Sequence, residues 1–195
     1  ISIGKFEAGS YVANVTFYGD NNYNNKSISV RFNVTRVTPV ITVVIPDTVY
    51  PDNATATVIV SDYANGTINI TVDGRNFTKE IRNGRVTINL TGLSGGAKVA
   101  TVNFTTSDNY NFNATAAVKF TVNRTASVID IVQENVYDVV AVVTPGTTGN
   151  VTFYINGKEL NATIGADGRA TLPNVLRVGD NNVVAVYAGD VNYTI

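Results

Sequence analysis

One seven-residue segment occurs three times in this chain, and its repetition constrains the fold more than any single motif does. In residues 17–23, 104–110 and 187–193, an aromatic residue is followed six positions later by a tyrosine. The copies are offset by 87 and 83 residues, and each offset is close to the length of a small sandwich domain. The sequence therefore predicts tandem copies of one folding unit.

Asp-Gly and Asn-Gly dipeptides recur at matching positions of these units and predict hairpin turns. Asp73-Gly74 recurs as Asn156-Gly157 at an offset of 83, and Asn83-Gly84 recurs as Asp167-Gly168 at an offset of 84. Such dipeptides favour the type I′ turn, because both of its central residues need a positive φ. The runs between them alternate apolar and polar residues, without a sustained helical period. We predict an all-β fold: tandem immunoglobulin-like β-sandwich repeats of about 85 residues, with seven antiparallel strands each and no helix.

The repeats divide the chain into three parts. Residues 36–123 form a complete repeat, residues 1–35 match only the C-terminal strands of a partial repeat, and residues 124–195 match a repeat that lacks its last strand. The predicted strands of the complete repeat are 39–45, 55–61, 67–72, 76–81, 85–90, 97–105 and 115–122. We expect neighbouring sequence or another molecule to complete the partial units, since an open strand edge invites pairing.

The alternation also assigns an inward side to the strands of each repeat, because residues i and i+2 share one face. Apolar residues that recur at this period in aligned copies are expected to form the core. The residues predicted to be buried are Val15, Phe17, Ile28, Val30, Phe32, Val102, Phe104, Val118, Phe120, Val151, Phe153 and Ile155.

Missing residue types exclude much of catalytic chemistry. The chain has no His and no Cys, so Ser-His and Cys-His nucleophiles, thiolate or imidazole metal sites and disulfides are excluded. A net charge of −1 with scattered Lys and Arg argues against a nucleic-acid or acidic-membrane surface. The chain also has no Met, and we expect it to be a processed piece of a longer protein. We predict a protein that is not an enzyme and needs no cofactor.

The chain is rich in Asn-x-Ser/Thr sequons, the acceptors of N-linked glycans. It contains fourteen, and thirteen of them end in Thr. Random placement of its Asn, Ser and Thr residues would give roughly four. The glycosylation candidates are Asn14, Asn25, Asn33, Asn53, Asn65, Asn69, Asn76, Asn89, Asn103, Asn113, Asn123, Asn150, Asn161 and Asn192.

Two explanations of the sequons stay open. One is a glycan coat on an extracellular surface, with the sequons in predicted turns as the better acceptors. The other is plain strand alternation, which explains the Thr but not the Asn, because strands disfavour Asn. The sequons placed in predicted turns begin at Asn25, Asn53, Asn65, Asn113, Asn123 and Asn161.

The repeated segments resemble a known class of surface repeats. Phe-Tyr-Gly-Asp-Asn-Asn-Tyr at 17–23 and Tyr-Ala-Gly-Asp-Val-Asn-Tyr at 187–193 look like those of bacterial-type Ig-like repeat domains. The run 149–157, followed by Gly168-Arg-Ala-Thr and Val178-Gly179, resembles more closely the adhesin-like surface proteins of methanogenic archaea. The resemblance covers the whole chain and implies a cell-anchored extracellular protein. The middle copy departs from the pattern, with Ser107 where the others have Gly-Asp.

The aromatic-to-tyrosine segments also suggest a metal site. Oxygen ligands for calcium are available from Asp20, Asn22, Asp190 and Asn192. A hairpin turn, with the tyrosines at 23, 110 and 193 packed over the end of the sandwich, explains the same residues. We favour the turn and predict no metal, because calcium sites usually collect more carboxylates.

Two other candidate sites concern lysine and tyrosine. An intramolecular Lys–Asn isopeptide bond needs a buried Lys on an inner face, near an Asn and an acid. Lys79 is the candidate, because it lies in phase with Phe77 and Ile81 and next to Glu80. A kinked edge strand is the favoured explanation of Lys79. The ten tyrosines are spread along the chain, so we expect core and corner positions for them, and no sugar-stacking platform.

The leading functional hypothesis is structural: a glycosylated stalk or filament of an adhesin-like protein at the cell surface. The alternative is that the repeats themselves bind a carbohydrate or protein on a partner cell. The expected partners are N-linked glycans and neighbouring repeats or copies of the chain, for which residues 27–35 are a candidate donated strand. No nucleic-acid partner and no membrane span are expected in this fragment.

Overall fold

The computed structural model describes residues 1–61, 64–107, 109 and 112–195. The predicted all-β class is confirmed, and the described residues contain no helix. The strands are β1 (Gly9–Phe17), β2 (Lys26–Val34), β3 (Ile41–Val44), β4 (Thr48–Val49), β5 (Ala54–Val60), β6 (Gly66–Val72), β7 (Arg75–Ile81), β8 (Arg85–Leu90), β9 (Gly96–Thr106), β10 (Ala114–Asn123), β11 (Thr125–Ala126), β12 (Ile129–Val132), β13 (Val139–Val143), β14 (Asn150–Ile155), β15 (Lys158–Thr163), β16 (Arg169–Leu172), β17 (Val183–Tyr187) and β18 (Tyr193–Thr194).

Strands β3 to β10 form two sheets. One has the order β4-β10-β9-β6-β7 and the other the order β3-β5-β8, which is the arrangement of an immunoglobulin-like sandwich. Every second residue of β6 is buried, and Ile68, Ile70 and Phe104 are among the largest fully buried side chains. Each of the seven predicted ranges matches a strand to within two residues, whereas the sequence pattern does not predict β4.

The same order of strands recurs in residues 129–187. The sheets β12-β13-β16 and β15-β14-β17 have three strands each. A core of buried residues around Phe153 includes Val139 and Val143 from the first sheet and Val151 and Tyr187 from the second. Because both sheets contribute, they enclose one apolar core.

Two compact units make up the described chain. Their segments are Ile1–Ile45, Thr55–Ile88 and Val99–Val118 in the first unit, and Pro46–Ala54, Asn89–Lys98 and Lys119–Ile195 in the second. This division follows packing and not the sequence repeats, so the repeat boundaries stay a prediction.

The hairpin of β1 and β2 corrects the predicted burial. Val15 pairs with Ile28 and Ala13 pairs with Val30, so apolar side chains share one face as the alternation predicts. That face nevertheless lies open, because β1 and β2 form a two-stranded sheet and the described residues place no second sheet over it. The exposed residues among the twelve expected inside are Val15, Phe17, Ile28 and Val30. Of the other eight, Phe32 and Val118 are half-buried and six are buried.

The hairpin turns follow the prediction with one exception. Both residues of Asp73-Gly74, Asn83-Gly84 and Asn156-Gly157 have a positive φ, as the type I′ turn requires. In Asp167-Gly168 only the glycine does, with a φ of 78°. Asp167 instead accepts the backbone N–H of Arg169 on its Oδ1 at 3.1 Å. A local side-chain hydrogen bond thus replaces the mirror-image turn.

Two short pairings correct the expectation of purely antiparallel strands. β4 runs parallel to the end of β10, and β11 runs parallel to β18. Each pairing spans only two residues of each strand, and the other described strand pairings are antiparallel.

Candidate functional site

Most sequon asparagines are exposed. Eleven of the fourteen have exposed side chains, and Asn65, Asn69 and Asn192 are half-buried. Of the sequons predicted in turns, those at Asn25, Asn53, Asn65 and Asn113 lie outside strands as expected. The prediction is wrong for the other two, because Asn123 ends β10 and Asn161 lies within β15.

Six exposed sequon asparagines lie in strands and accept a hydrogen bond from a Ser or Thr hydroxyl of the neighbouring strand. The Oγ to Oδ1 distances run from 2.6 to 3.0 Å. The pairs are Asn14–Ser29, Asn33–Ser10, Asn76–Thr71, Asn103–Thr115, Asn150–Thr163 and Asn161–Thr152. This ladder supplies a reason for Asn in a strand that alternation alone does not give.

The hairpin of β14 and β15 shows why the Asn-x-Thr spacing suits such pairs. Its register places Asn150 opposite Thr163 and Thr152 opposite Asn161. The two sequons therefore lie antiparallel to each other. The Oδ1 atom of each Asn accepts a hydrogen bond from the Thr hydroxyl of the other sequon, at 2.8 or 2.9 Å. The hydroxyl uses the Oδ1 atom of the carboxamide and leaves Nδ2, the atom that carries an N-linked glycan, out of the pairing.

Three half-buried sequon side chains are tied into the protein or enclosed by it, whereas Asn113 is exposed although its Oδ1 accepts the backbone N–H of Thr106 at 3.0 Å. Asn65 accepts the backbone N–H of Asn83 on Oδ1 at 3.2 Å, and Asn192 accepts that of Gly95 at 3.0 Å. The Oδ1 atom of Asn69 is buried in the centre of β6. These three are poor acceptor sites, since a glycan needs a protruding carboxamide.

The repeated segment forms the same turn in the first and third copies. Asp190 accepts the backbone N–H groups of Asn192 and Tyr193 on Oδ1 at 2.7 and 2.8 Å. Asp20 accepts those of Asn22 and Tyr23, both at 2.8 Å. In each copy the Asp N–H also donates to the carbonyl of the Tyr. In the middle copy, Asp108 and Tyr110 lie outside the described residues.

Asp190 has a second set of donors that Asp20 lacks among the described contacts. Its Oδ2 accepts the backbone N–H of Thr148 at 2.8 Å and the hydroxyl of the same residue at 3.0 Å. Burial by itself raises the pKa of this carboxyl, but the N–H groups of Asn192, Thr148 and Tyr193 outweigh it and lower the pKa to about 2. The carboxylate therefore closes the turn as an anion.

These hydrogen bonds favour the turn over a calcium site. Both oxygens of Asp190 and one oxygen of Asp20 face N–H or O–H donors, whose positive ends repel a cation. Within the described ranges, no group of three or more acidic, His or Cys side chains is placed to hold a metal. The third-copy tyrosine, Tyr193, is buried, whereas Tyr23 is 70% exposed. The expected packing of the tyrosines thus holds for the third copy and not for the first, and Tyr110 lies outside the described residues.

The turn of the third copy packs against residues of the middle repeat within the second unit. The Tyr193 ring meets the Tyr50 ring edge to face, with their centroids 5.5 Å apart. Arg124 donates from Nη1 to the carbonyl of Asp190 at 3.2 Å, and Gly95 donates its N–H to Asn192. Gly95 has no room for a side chain, since a Cβ would lie 2.3 Å from the carbonyl oxygen of Val191.

An equivalent contact exists in the first unit. Asn109, which precedes the middle-copy Tyr, donates from Nδ2 to Oε2 of Glu7 at 3.1 Å and accepts from Arg36 on Oδ1. Phe112 donates its backbone N–H to the carbonyl of Val37 at 2.9 Å. Arg36 and Arg124 both follow the last strand of a repeat, β2 and β10 respectively. Sequence reasoning missed both arginines, although their shared position after that strand is visible in the sequence.

The lysine and tyrosine candidates have ordinary structural roles. Lys79 is exposed rather than buried, and its Nζ donates to the carbonyl of Thr87 at 2.9 Å. The buried lysine is Lys98, whose Nζ donates to Ser94 Oγ at 3.1 Å. Tyr18 and Tyr23 are exposed and Tyr187 and Tyr193 are buried.

The described strands define the class as an all-β, immunoglobulin-like sandwich. No helix among the described residues is long and apolar enough to cross a membrane. No family model and no curated protein matches the chain.

Several solved structures show a distant likeness. A calcium-stabilised adhesin that helps an Antarctic bacterium to bind ice is 16% identical, with 95% of this chain and 57% of that chain covered and a TM-score of 0.32. The fibronectin(III)-like modules of Clostridium thermocellum CbhA are 11% identical, with 79% and 88% covered and a TM-score of 0.36. A 1.5-MDa bacterial ice-binding adhesin is 13% identical, with 95% and 74% covered and a TM-score of 0.35. These identities and TM-scores support no inference about activity or partner.

Proposed function

We propose that this chain is part of a non-enzymatic, N-glycosylated cell-surface protein, in which tandem Ig-like repeats form an extracellular stalk of the adhesin-like, archaeal kind. The stalk extends the protein away from the cell surface and resists bending. Adhesion to another cell is then carried by other parts of the protein. The partners of this segment are its own glycans and neighbouring repeats.

One observation carries the proposal: residues of successive repeats are joined by the same kind of contact in both units. In each, an Arg after the last strand of one repeat donates to the repeated segment of the next, Arg36 to Asn109 and Arg124 to the Asp190 carbonyl. A residue before the sixth main strand also bonds the Asn that precedes the Tyr, Glu7 bonding Asn109 and Gly95 bonding Asn192. A flexible chain of independent modules needs no such contact. Hydrogen bonds repeated at each boundary are what a stalk requires, because each one restricts bending.

The exposed sequons support the glycan coat. Asn25, Asn53 and Asn113 are exposed and lie in connections between strands, where a transferase finds an accessible chain. The six ladder asparagines keep Nδ2 outside their cross-strand bonds. A coat at these positions shields strands from proteases without disturbing the sheet.

Mass spectrometry of the native protein tests the coat. The expected result is an intact mass above that of the 195 residues, with glycopeptides at Asn25, Asn53 and Asn113 and none at Asn69 or Asn192. Native protein unmodified at all three connection sites would remove the coat from the proposal.

Small-angle X-ray scattering of Arg124→Ala tests the stalk. Loss of the Arg124 hydrogen bond to the Asp190 carbonyl is expected to broaden the distribution of interatomic distances relative to the parent chain. Arg31→Ala, at an exposed position of β2, is the matched control. Identical scattering from all three proteins would show that the contact does not stiffen the chain. Binding of the unglycosylated chain to cell-surface carbohydrates would instead favour the alternative, that the repeats bind a partner cell.

A further inference from the structure

The turn at Asp20–Tyr23 is built like the docked turn of the third copy, yet its outer side is open. Its internal hydrogen bonds match those of Asp190–Tyr193 atom for atom. Tyr23 is 70% exposed and Tyr18 is 86% exposed, whereas Tyr193 is 8% exposed. The turn is therefore preformed and presents an aromatic ring that its counterpart buries.

The third repeat has an open groove at the end that corresponds to the docking surface of the middle repeat. In the middle repeat, the turn meets Tyr50 from the connection between the first two main strands and Gly95 from the connection leading into β9. The same two connections of the third repeat, between β12 and β13 and between β16 and β17, line a cavity of about 330 Å³. Its walls include Ile131, Val132, Val136, Leu176 and Val178.

The groove has apolar residues beside the polar residues Gln133, Arg177 and Asp180, and its rim is held in place. Val136 and Val178 are 66% and 85% exposed. Asn181 fixes the rim by donating from Nδ2 to the carbonyls of Arg177 and Gly179 at 2.8 and 3.0 Å. Arg177 and Asp180 both line the same cavity, so one residue of each charge borders it.

We propose that the Asp20–Tyr23 turn of one copy of this chain docks in the groove of Val136, Leu176 and Val178 of a second copy, so that copies associate head to tail. The ring of Tyr23 fills the groove as Tyr193 covers Tyr50, and Asn22 meets the Val178-Gly179 connection as Asn192 meets Gly95. A contact of this kind is heterologous, because it uses two different surfaces and leaves one of each free on the pair. This inference rests on the proposed stalk and names the turn and the groove through which one copy would bind the next.

Cysteine cross-linking in this cysteine-free chain tests the contact directly. Copies that carry Asn22→Cys are mixed with copies that carry Val178→Cys and are oxidised under mild conditions. The matched control replaces the second variant by Thr101→Cys, which is exposed on the first unit. The docked geometry predicts at least about tenfold more heterodimer with Val178→Cys than with Thr101→Cys. Equal yields would overturn the proposal.

Sedimentation velocity supplies an independent readout. The parent chain is expected to sediment faster as its concentration rises, and Tyr23→Ala is expected to weaken this association about tenfold, the effect of losing one aromatic contact. A parent chain that stays monomeric at all concentrations would refute the docking. So would an association that Val30→Lys abolishes and Tyr23→Ala leaves intact, because the contact would then be the open face of β1 and β2. Either result leaves the glycan and scattering tests of the stalk unaffected.

Discussion

Asp190→Asn is the most informative single change, because the carboxylate of Asp190 uses both oxygens to join the turn to Thr148. An Asn still offers one oxygen to the N–H groups of Asn192 and Tyr193. It places an NH2 group where Oδ2 accepts the N–H and the hydroxyl of Thr148. Two donors then face each other, and the Thr148 N–H loses its acceptor.

The lowered pKa sets the size and the pH range of this effect. A change in the carboxyl pKa from 3.8 to about 2 on folding corresponds to about 2 kcal/mol, which partial exposure of the site reduces to about 1–2 kcal/mol. Because the pKa is lower in the folded protein, this stabilisation is complete above about pH 4 and is lost as the pH falls through about 2. We expect Asp190→Asn to cost about 1–2 kcal/mol at pH 7 and almost nothing at pH 2.

Urea unfolding followed by circular dichroism at pH 7, 4 and 2 measures this difference. Asp20→Asn is the matched control, since Asp20 closes the same turn from an exposed position without a donor equivalent to Thr148 among the described contacts. It should change the unfolding free energy by less than about 0.5 kcal/mol at each pH. The reasoning fails if Asp190→Asn and Asp20→Asn are equally stable at pH 7, or if the cost of Asp190→Asn persists undiminished at pH 2.

Three further outcomes follow from the structure. In a double-mutant cycle of Thr152→Val and Asn161→Ala, urea unfolding should show a coupling of about 0.5–1 kcal/mol, and zero coupling would mean that the ladder bond is not stabilising. Phe153→Ala should lower the free energy of unfolding by about 3–5 kcal/mol and Ile28→Ala by less than about 0.5 kcal/mol, because the first side chain is buried and the second exposed; equal losses would contradict the assigned core. Burial, helped by the nearby Asp190 carboxylate, raises the pKa of Tyr187 to about 12, so stability should be complete below pH 10 and fall as the pH rises through 12. Burial also raises the pKa of Tyr193, so an absorbance titration should show two late-ionising tyrosines, and Tyr187→Phe should remove one of them. Persistence of both in the variant would contradict the assignment.

Local patterns in the sequence were sufficient to place the seven main strands of the middle repeat and most of the hairpin turns. Alternation located the middle strands to within two residues, because the period of two is a property of the strand itself. Type I′ turns at Asp73-Gly74 and Asn156-Gly157 follow from the residues alone. The alternation did not predict that the inward side chains of β1 and β2 are exposed. Such a side chain is buried only where a second sheet packs over its face. Val15 and Val30 have the right register and stay exposed.

The candidate site depended on register and tertiary contacts, which the sequence pattern does not contain. The ladder needs Thr152 opposite Asn161, and only the pairing of β14 with β15 shows that it is. Arg124 reaches Asp190 across 66 residues of chain, so no local spacing indicates the contact. Asn192 is a glycan candidate from its triplet alone, and the triplet gives no sign of its hydrogen bond to Gly95.

The ladder and the glycan coat are compatible explanations of the sequon excess, because they use different atoms of one carboxamide. A strand that pairs Asn with Thr at positions i and i+2 of antiparallel partners creates a sequon as a by-product of its hydrogen bonds. The Oδ1 atom of Asn161 serves the sheet, and its Nδ2 atom is left for modification. A high number of sequons therefore indicates Asn–Thr hydrogen bonds between strands as well as attached glycans. Asn25 and Asn53 lie outside the strands and outside the ladder, so glycan occupancy at these two positions tests the coat separately from strand pairing.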